Sequence, residues 1–142
     1  MVGTKTLSVD KTQALKVIYD FFKQFQKLLT QPAPPKLSDI EVHLAKNFLI
    51  TSNGRTVGKS SADYLNRLLK FKQKYARFEI SKPLEEPLSS GNQIALHYKV
   101  DLTAHNGERK EVQIMAIGTI EDNKLAHWNQ VAHEVNTGNW DK

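Results

Sequence analysis

A chain of 142 residues, 39% hydrophobic and 25% charged, has the balance of an ordinary globular protein and is long enough to bury a core as one domain. It has no cysteine, which excludes disulfides, a thiolate nucleophile and a zinc–thiolate site. No apolar run approaches the roughly 20 residues needed to span a bilayer, and residues 1–13 lack the apolar core of a signal peptide, so the expected compartment is the cytoplasm and no membrane partner is expected.

The first predicted element is a helix over residues 9–29. Ala14, Leu15, Ile18, Phe21, Phe22, Phe25, Leu28 and Leu29 recur at three- and four-residue steps and form one wide apolar stripe. Asp10 with Gln13 is placed as its N-terminal cap, and the prolines of residues 31–35 end it. Ser38-Asp39-Ile40-Glu41 reads as a capping box for a short second helix through Ala45. Residues 47–51 read as a strand and Ser52-Asn53-Gly54 as a turn. Ser60 or Ser61 caps a third helix ending near Tyr75, with Tyr64, Leu65, Leu68, Leu69, Phe71 and Tyr75 as its stripe.

From Arg77 the period changes to two. Residues 77–81, 93–103, 110–120 and 125–135 are predicted strands, with Asn106-Gly107 a hairpin signal between the second and third. Residues 83–91 read as a loop, and the tail from Asn136, which holds Trp140, carries no pattern. Helices first and antiparallel strands after them define the α+β class.

The strand at 93–103 separates its two faces sharply. Ile94, Leu96, Tyr98, Val100 and Leu102 alternate with Ala95, His97, Lys99, Asp101 and Thr103. Alternate residues stand about 7 Å apart, so Lys99 and Asp101 are neighbours. Two readings of the polar row stay open: a solvent-facing row beside an apolar core, or a charge pair at the floor of a pocket. The five histidines show no helical metal spacing, so no metal site is expected. No nucleophile elbow or phosphate loop is present, and no cofactor is expected. Lys59, Arg67, Lys70, Lys72, Lys74 and Arg77 make the third helix basic, which reads as a charged solvent face rather than a nucleic-acid surface.

The order of these elements resembles the nuclear transport factor 2-like superfamily, and the C-terminal half is similar to SnoaL-like domains. The residues that carry the resemblance are Asn53-Gly54 after a short strand, Gly91-Asn92-Gln93-Ile94-Ala95, and Asp122-Asn123-Lys124-Leu125-Ala126-His127-Trp128 leading into the last strand. The likeness implies a cystatin-like cone, in which a curved antiparallel or mixed sheet wraps around three N-terminal helices and leaves a deep pocket.

The likeness to limonene epoxide hydrolases, members of the same superfamily, implies a set of pocket residues. Lys99 and Asp101 match a catalytic arginine and aspartate, Gln130 stands where a second aspartate would be, and Asn53 matches a water-holding asparagine. Gln130 can orient water but cannot take its proton. Tyr19 matches a tyrosine of ketosteroid isomerases, whose two acids fall near Ser52 and Met115 and are absent here. With this face assignment Trp128, Met115 and His97 wall the pocket. Ile94, Leu96, Tyr98 and Val100 then lie on the outer face, with Leu125, His127 and Asn129 on the partner-facing side, and a homodimer packed sheet against sheet covers them.

Two functions follow as expectations. One is a domain that binds a small hydrophobic molecule bearing a carbonyl, hydroxyl or epoxide group, with isomerase-, cyclase- or hydrolase-like chemistry carried by Asp101 and Lys99. The other is a non-catalytic dimerisation or protein-interaction domain with a vestigial pocket.

Overall fold

The computed structural model describes residues 10–135. The two ends set apart by the sequence, residues 1–8 and the tail from Asn136 with Trp140, lie outside the described residues.

Helix α1 (Lys11–Thr30) buries Ala14, Ile18, Phe21, Leu28 and Leu29 of the expected stripe and Val17 besides, while Leu15, Phe22 and Phe25 are partly buried against the same core. At its C-terminal end the Lys72 ammonium donates to the carbonyls of Leu28 and Gln31, placing a cation where unpaired carbonyls collect. Helix α2 (Leu37–Glu41) starts earlier and ends sooner than its sequence suggests. The Asp39 carboxylate accepts from the Lys36 backbone N–H at 3.0 Å, so the start lies before Ser38. Leu44 already pairs with Leu125, which draws the chain into strand β1 (Leu44–Ser52) rather than a longer helix.

Asn53 and Gly54, both with positive φ, turn β1 back into β2 (Arg55–Gly58), a strand the sequence did not announce. Helix α3 (Ser61–Lys74) is capped by Ser60, whose Oγ accepts from the Asp63 backbone N–H at 3.1 Å. The chain continues through β3 (Tyr75–Ile80), the short β4 (Leu88–Ser90), β5 (Gln93–Ala104), β6 (Arg109–Glu121) and β7 (Lys124–Glu134).

All seven strands join one sheet in the order β2-β1-β7-β6-β5-β3, with β4 on the remaining stretch of the β5 edge. β1 runs parallel to β7 and the other pairs are antiparallel, so the sheet is mixed. α1 lies across β3, β5, β6 and β7 while α3 packs on α1 and on β1, β2 and β3, so both helices fill the concave side of the curved sheet. This is the α+β class expected from the element order and the cone implied by the family likeness.

The faces of β5 are the reverse of those implied by the family likeness. Ile94, Leu96, Tyr98, Val100 and Leu102 are buried against the helices, and the polar row lies on the convex side. The reason is energetic: five large apolar side chains supply the burial that holds the sheet to α1, at about 1.5–3 kcal/mol each. Burying Lys99 and Asp101 in their place would take two charges out of water.

One further correction lies in β7. Leu125 faces inward and is fully buried, as is Trp128, although they are three residues apart. Ile120 opposes Leu125 and Thr119 opposes His127, leaving Ala126 as an extra residue on β7. This bulge restores the alternation for Trp128, Gln130 and Ala132.

Gly118 lies directly opposite Trp128, and a Cβ there would stand 3.2 Å from the indole ring and from Leu125 Cδ1. Glycine thus opens the floor on which the indole lies. Gly118→Val is expected to destabilise the fold by about 1–3 kcal/mol through overpacking, measured as a lower urea midpoint with an unchanged slope.

Candidate functional site

Helices and sheet do not close completely on one another. A cavity of about 100 Å³ remains between them. α1 contributes Phe21, Phe22 and Phe25, α3 contributes Tyr64, Arg67 and Phe71, and the concave sheet face supplies residues that include Phe48, Tyr98, Ile114, Trp128 and Gln130. The aromatic rings meet edge-on or tilted rather than stacked. Phe22 stands perpendicular to Trp128 at 5.7 Å and packs on Tyr98 at 5.0 Å. Phe48 meets Tyr64 at 85°. Such tilted contacts are favourable pairwise but leave gaps where several rings converge.

Three kinds of polar group interrupt this apolar wall. The Gln130 side chain is already engaged on both ends, its Oε1 accepting from Trp128 Nε1 at 3.0 Å and its Nε2 donating to Ser52 Oγ at 3.2 Å. Its role is to fix the indole and tie β7 to β1. Tyr64 is buried, and its hydroxyl has no hydrogen-bond partner among the described residues. Burial raises its pKa well above the ordinary phenol value, with a smaller opposing effect of Arg67. Tyr98 is likewise held protonated by burial. Arg67 is the charged side chain of the lining, half-buried, with its pKa pulled below the usual guanidinium value by desolvation. Among the described residues no carboxylate and no imidazole lines the cavity.

Among the sequence-derived site residues, the structure brings Trp128 and Gln130 to the cavity. It leaves the others elsewhere. Lys99 and Asp101 are on the convex face, where Lys99 Nζ stands 3.7 Å from Glu111 Oε1 and Asp101 is exposed between Glu79 and Glu111 on the flanking strands. The pair therefore cannot act as acid, base or electrostatic partner inside the cone. His97 and Met115 share that outer face. His97 Nδ1 lies 2.5 Å from Glu85 Oε1, and its pKa is raised first by this hydrogen bond and next by one to Gln113. Met115 is 61% exposed and walls a surface groove rather than the cavity.

Asn53 is a turn residue: its side-chain oxygen accepts from the Ala132 N–H at 2.8 Å and its own N–H donates to the Gln130 carbonyl at 2.9 Å. It positions Gln130's strand and is not part of the cavity lining. Tyr19 lines a separate surface groove with Lys23 and Pro83, one ring removed from the cavity behind Phe22. Burial raises its pKa, with Glu86 adding to the effect.

The residues that sequence reasoning did not assign to a site are Tyr64, Arg67, Tyr98 and the phenylalanines of α1. The aromatic share of the α1 stripe was the available signal. For Arg67 it was the three-residue step from Tyr64, which puts both on one side of α3.

No protein-family profile matches the sequence, and no curated protein matches it. Solved structures do match in fold. An LEH-like epoxide hydrolase from M. tuberculosis superposes with a TM-score of 0.68 over 86% of this chain and 84% of that one, at 12% identity. AusH from Aspergillus nidulans gives 0.70 over 94% and 92%, at 16% identity. A nuclear transport factor 2-like protein from Anabaena variabilis gives 0.65 over 94% and 98%, at 12% identity. The chain has the nuclear transport factor 2-like fold.

Gln130→Leu removes the acceptor of the buried indole N–H and the link to Ser52. A loss of about 1–3 kcal/mol in unfolding free energy is expected from the unpaired donor, read by chemical denaturation.

Proposed function

We propose that the chain is a small-molecule-binding domain whose ligand occupies the aromatic cavity between α1, α3 and the concave sheet face. The observation that carries this reading is the cavity itself, an apolar chamber with a few convergent polar groups. Its ligand is compact and mostly apolar with one polar function, because about 100 Å³ admits little more than a single ring. The names of proteins with the same fold, an epoxide hydrolase and AusH among them, agree with a small-molecule chamber without specifying its occupant.

Binding rather than turnover is the favoured output. General acid–base chemistry at neutral pH needs a group that can give up and take a proton there. The lining offers two phenols held protonated by burial, an arginine and an amide, none of which accepts a proton at pH 7. Asp101 and Lys99 supply no substitute from the far side of the sheet.

Homodimerisation through the convex face is a second component of the reading, resting on residues other than those first expected. Met115 and Val131, cross-strand partners on β6 and β7, are 61% and 62% exposed, and Ile117 and Leu88 extend the patch towards the β4 edge. Beside it Lys99 with Glu111 supplies a rim of both signs. A second copy meets such a surface with an equivalent apolar centre and complementary rim, the isologous arrangement of a two-fold dimer.

Compact apolar probes such as cyclohexanone or toluene are expected to raise the melting temperature with concentration, because a ligand that binds only the folded state stabilises it by about 2.7 kcal/mol at 100 times Kd. Ile114→Phe, which fills the chamber, should remove the response and Asp101→Asn should leave it intact. Absence of a concentration-dependent rise for every probe sinks the binding reading.

The dimer is addressed separately. Met115→Glu together with Val131→Glu should convert a dimer to a monomer by light scattering, and a monomeric wild type refutes the interface.

A further inference from the structure

The charged residue of the cavity wall has no counter-ion among the described residues. Arg67 makes no ion pair and no side-chain hydrogen bond among the described residues, and its nearest polar compensation is the face of the Phe71 ring, 5.9 Å away. Tyr64, one helical turn earlier on α3, presents a second unsatisfied donor: the residue is 6% exposed and its hydroxyl, fully shielded from solvent, has no acceptor. Two donors without acceptors among the described residues, one helical turn apart on α3, therefore line one largely apolar chamber. Either alone is a cost to the fold, since a buried hydroxyl or a partly desolvated charge loses its water without replacement.

Arg67 also forms part of the wall of an open groove between β2 and α3, beside Lys59 and Lys70. The one carboxylate of that groove, Asp63, is occupied at the start of α3, where it accepts from the Lys59 backbone N–H at 2.8 Å. Arg67 thus lines both spaces, a basic surface groove and an apolar interior. Cations at a mouth raise the local concentration of anions.

We infer that the cavity is built for an organic monoanion: its apolar body packs among the phenylalanines and its carboxylate is held by the Arg67 guanidinium, with the shielded Tyr64 hydroxyl one turn away as the second donor. The inference rests on the binding reading above and specifies the ligand's charge and polarity. A guanidinium fork matches a carboxylate with two parallel hydrogen bonds. The phenol, which cannot ionise in this setting, serves as a donor. A neutral ligand of the same shape leaves the guanidinium as unpaired as it is now, so the site discriminates by charge. At about 100 Å³ the chamber is smaller than an apolar cavity of about 150 Å³ that takes benzene, which restricts the body to at most about five or six carbons.

Isothermal titration of the full chain with benzoate and cyclopentanecarboxylate, each against its carboxamide, tests this at pH 7 and low salt. The carboxylates are expected to bind at least about tenfold tighter than the amides, the factor appropriate to a hydrogen-bonded charge. Arg67→Met should bring the two within about two- to threefold, with amide affinity unchanged. Arg67→Lys should keep part of the preference, which provides the readout if the methionine variant does not fold. Tyr64→Phe should weaken carboxylate and leave amide affinity. Contacts from the ligand ring to the methyl groups of Ile50 and Ile114 by nuclear Overhauser effect fix the location. Equal affinity for carboxylate and amide in the wild type, or an undiminished preference in Arg67→Met, overturns the anion inference while leaving the cavity a binding site. Failure of both ligand classes to bind overturns this inference and the binding reading together.

Discussion

The contact between the apolar face of β5 and helix α1 is the constraint from which the rest of the molecule follows. Ile94, Leu96, Tyr98, Val100 and Leu102 can be buried together only if the strand turns that whole side to the helices. Cross-strand pairing then carries the choice through the sheet. Leu96 opposes Ala116, Tyr98 opposes Ile114, and Ala116 in turn opposes Gln130 on β7. No residue of β6 or β7 chooses its face independently, and the bulge at Ala126 is needed to let Leu125 and Trp128 share the inner one.

The same constraint explains why a chamber exists. α1 presents Phe21, Phe22 and Phe25 on adjoining turns, and the sheet answers with Tyr98 and Trp128. Large flat rings fill space well in pairs and poorly in groups, because tilted contacts fix angles that several rings cannot all satisfy. The indole's position is the most closely determined of them. Gly118 beneath it, Gln130 bonding its N–H and Phe22 standing against it leave it one orientation. A fixed wall of this kind is what distinguishes a pre-formed site from a packing defect.

Much of the fold was legible in the sequence. The α1 stripe, the Ser60 cap, the Asn53-Gly54 turn and the four longer strands all express themselves within a few residues, through period, capping chemistry or φ preference. β2 and β4 were not, because strands of four and three residues with mostly exposed side chains carry no alternation to detect. α2 was overextended because the pairing of Leu44 with Leu125 is a long-range event. The site was less legible, for a reason that concerns one residue of register. The alternation of β5 by itself left a solvent-facing polar row as one of two open readings, and that is where the row lies. The Lys99/Asp101 spacing matched a familiar catalytic pair and reversed the assignment, yet a two-residue spacing occurs on both faces of every strand and cannot say which is which. Burial decides that, and the apolar row outweighs a charged pair.

Arg67 shows the opposite difficulty. Its neighbours Lys70, Lys72 and Lys74 make α3 look uniformly solvated on its basic side, and for most of them that is the whole account. Helical position separates Arg67 from them. It follows Tyr64 by three and precedes Phe71 by four, so it lies on the flank of the buried stripe. A long side chain on such a flank can reach water or lie along the apolar surface with equal ease. Here the head stays over the Phe71 ring and is partly desolvated, with no ion pair among the described residues. Stability alone would favour a leucine or methionine at that place, since an unpaired charge there only costs. A fold that tolerates the cost beside a second unsatisfied donor on Tyr64 has a polar corner prepared in an aromatic chamber. What such a corner lacks is an acceptor with negative charge.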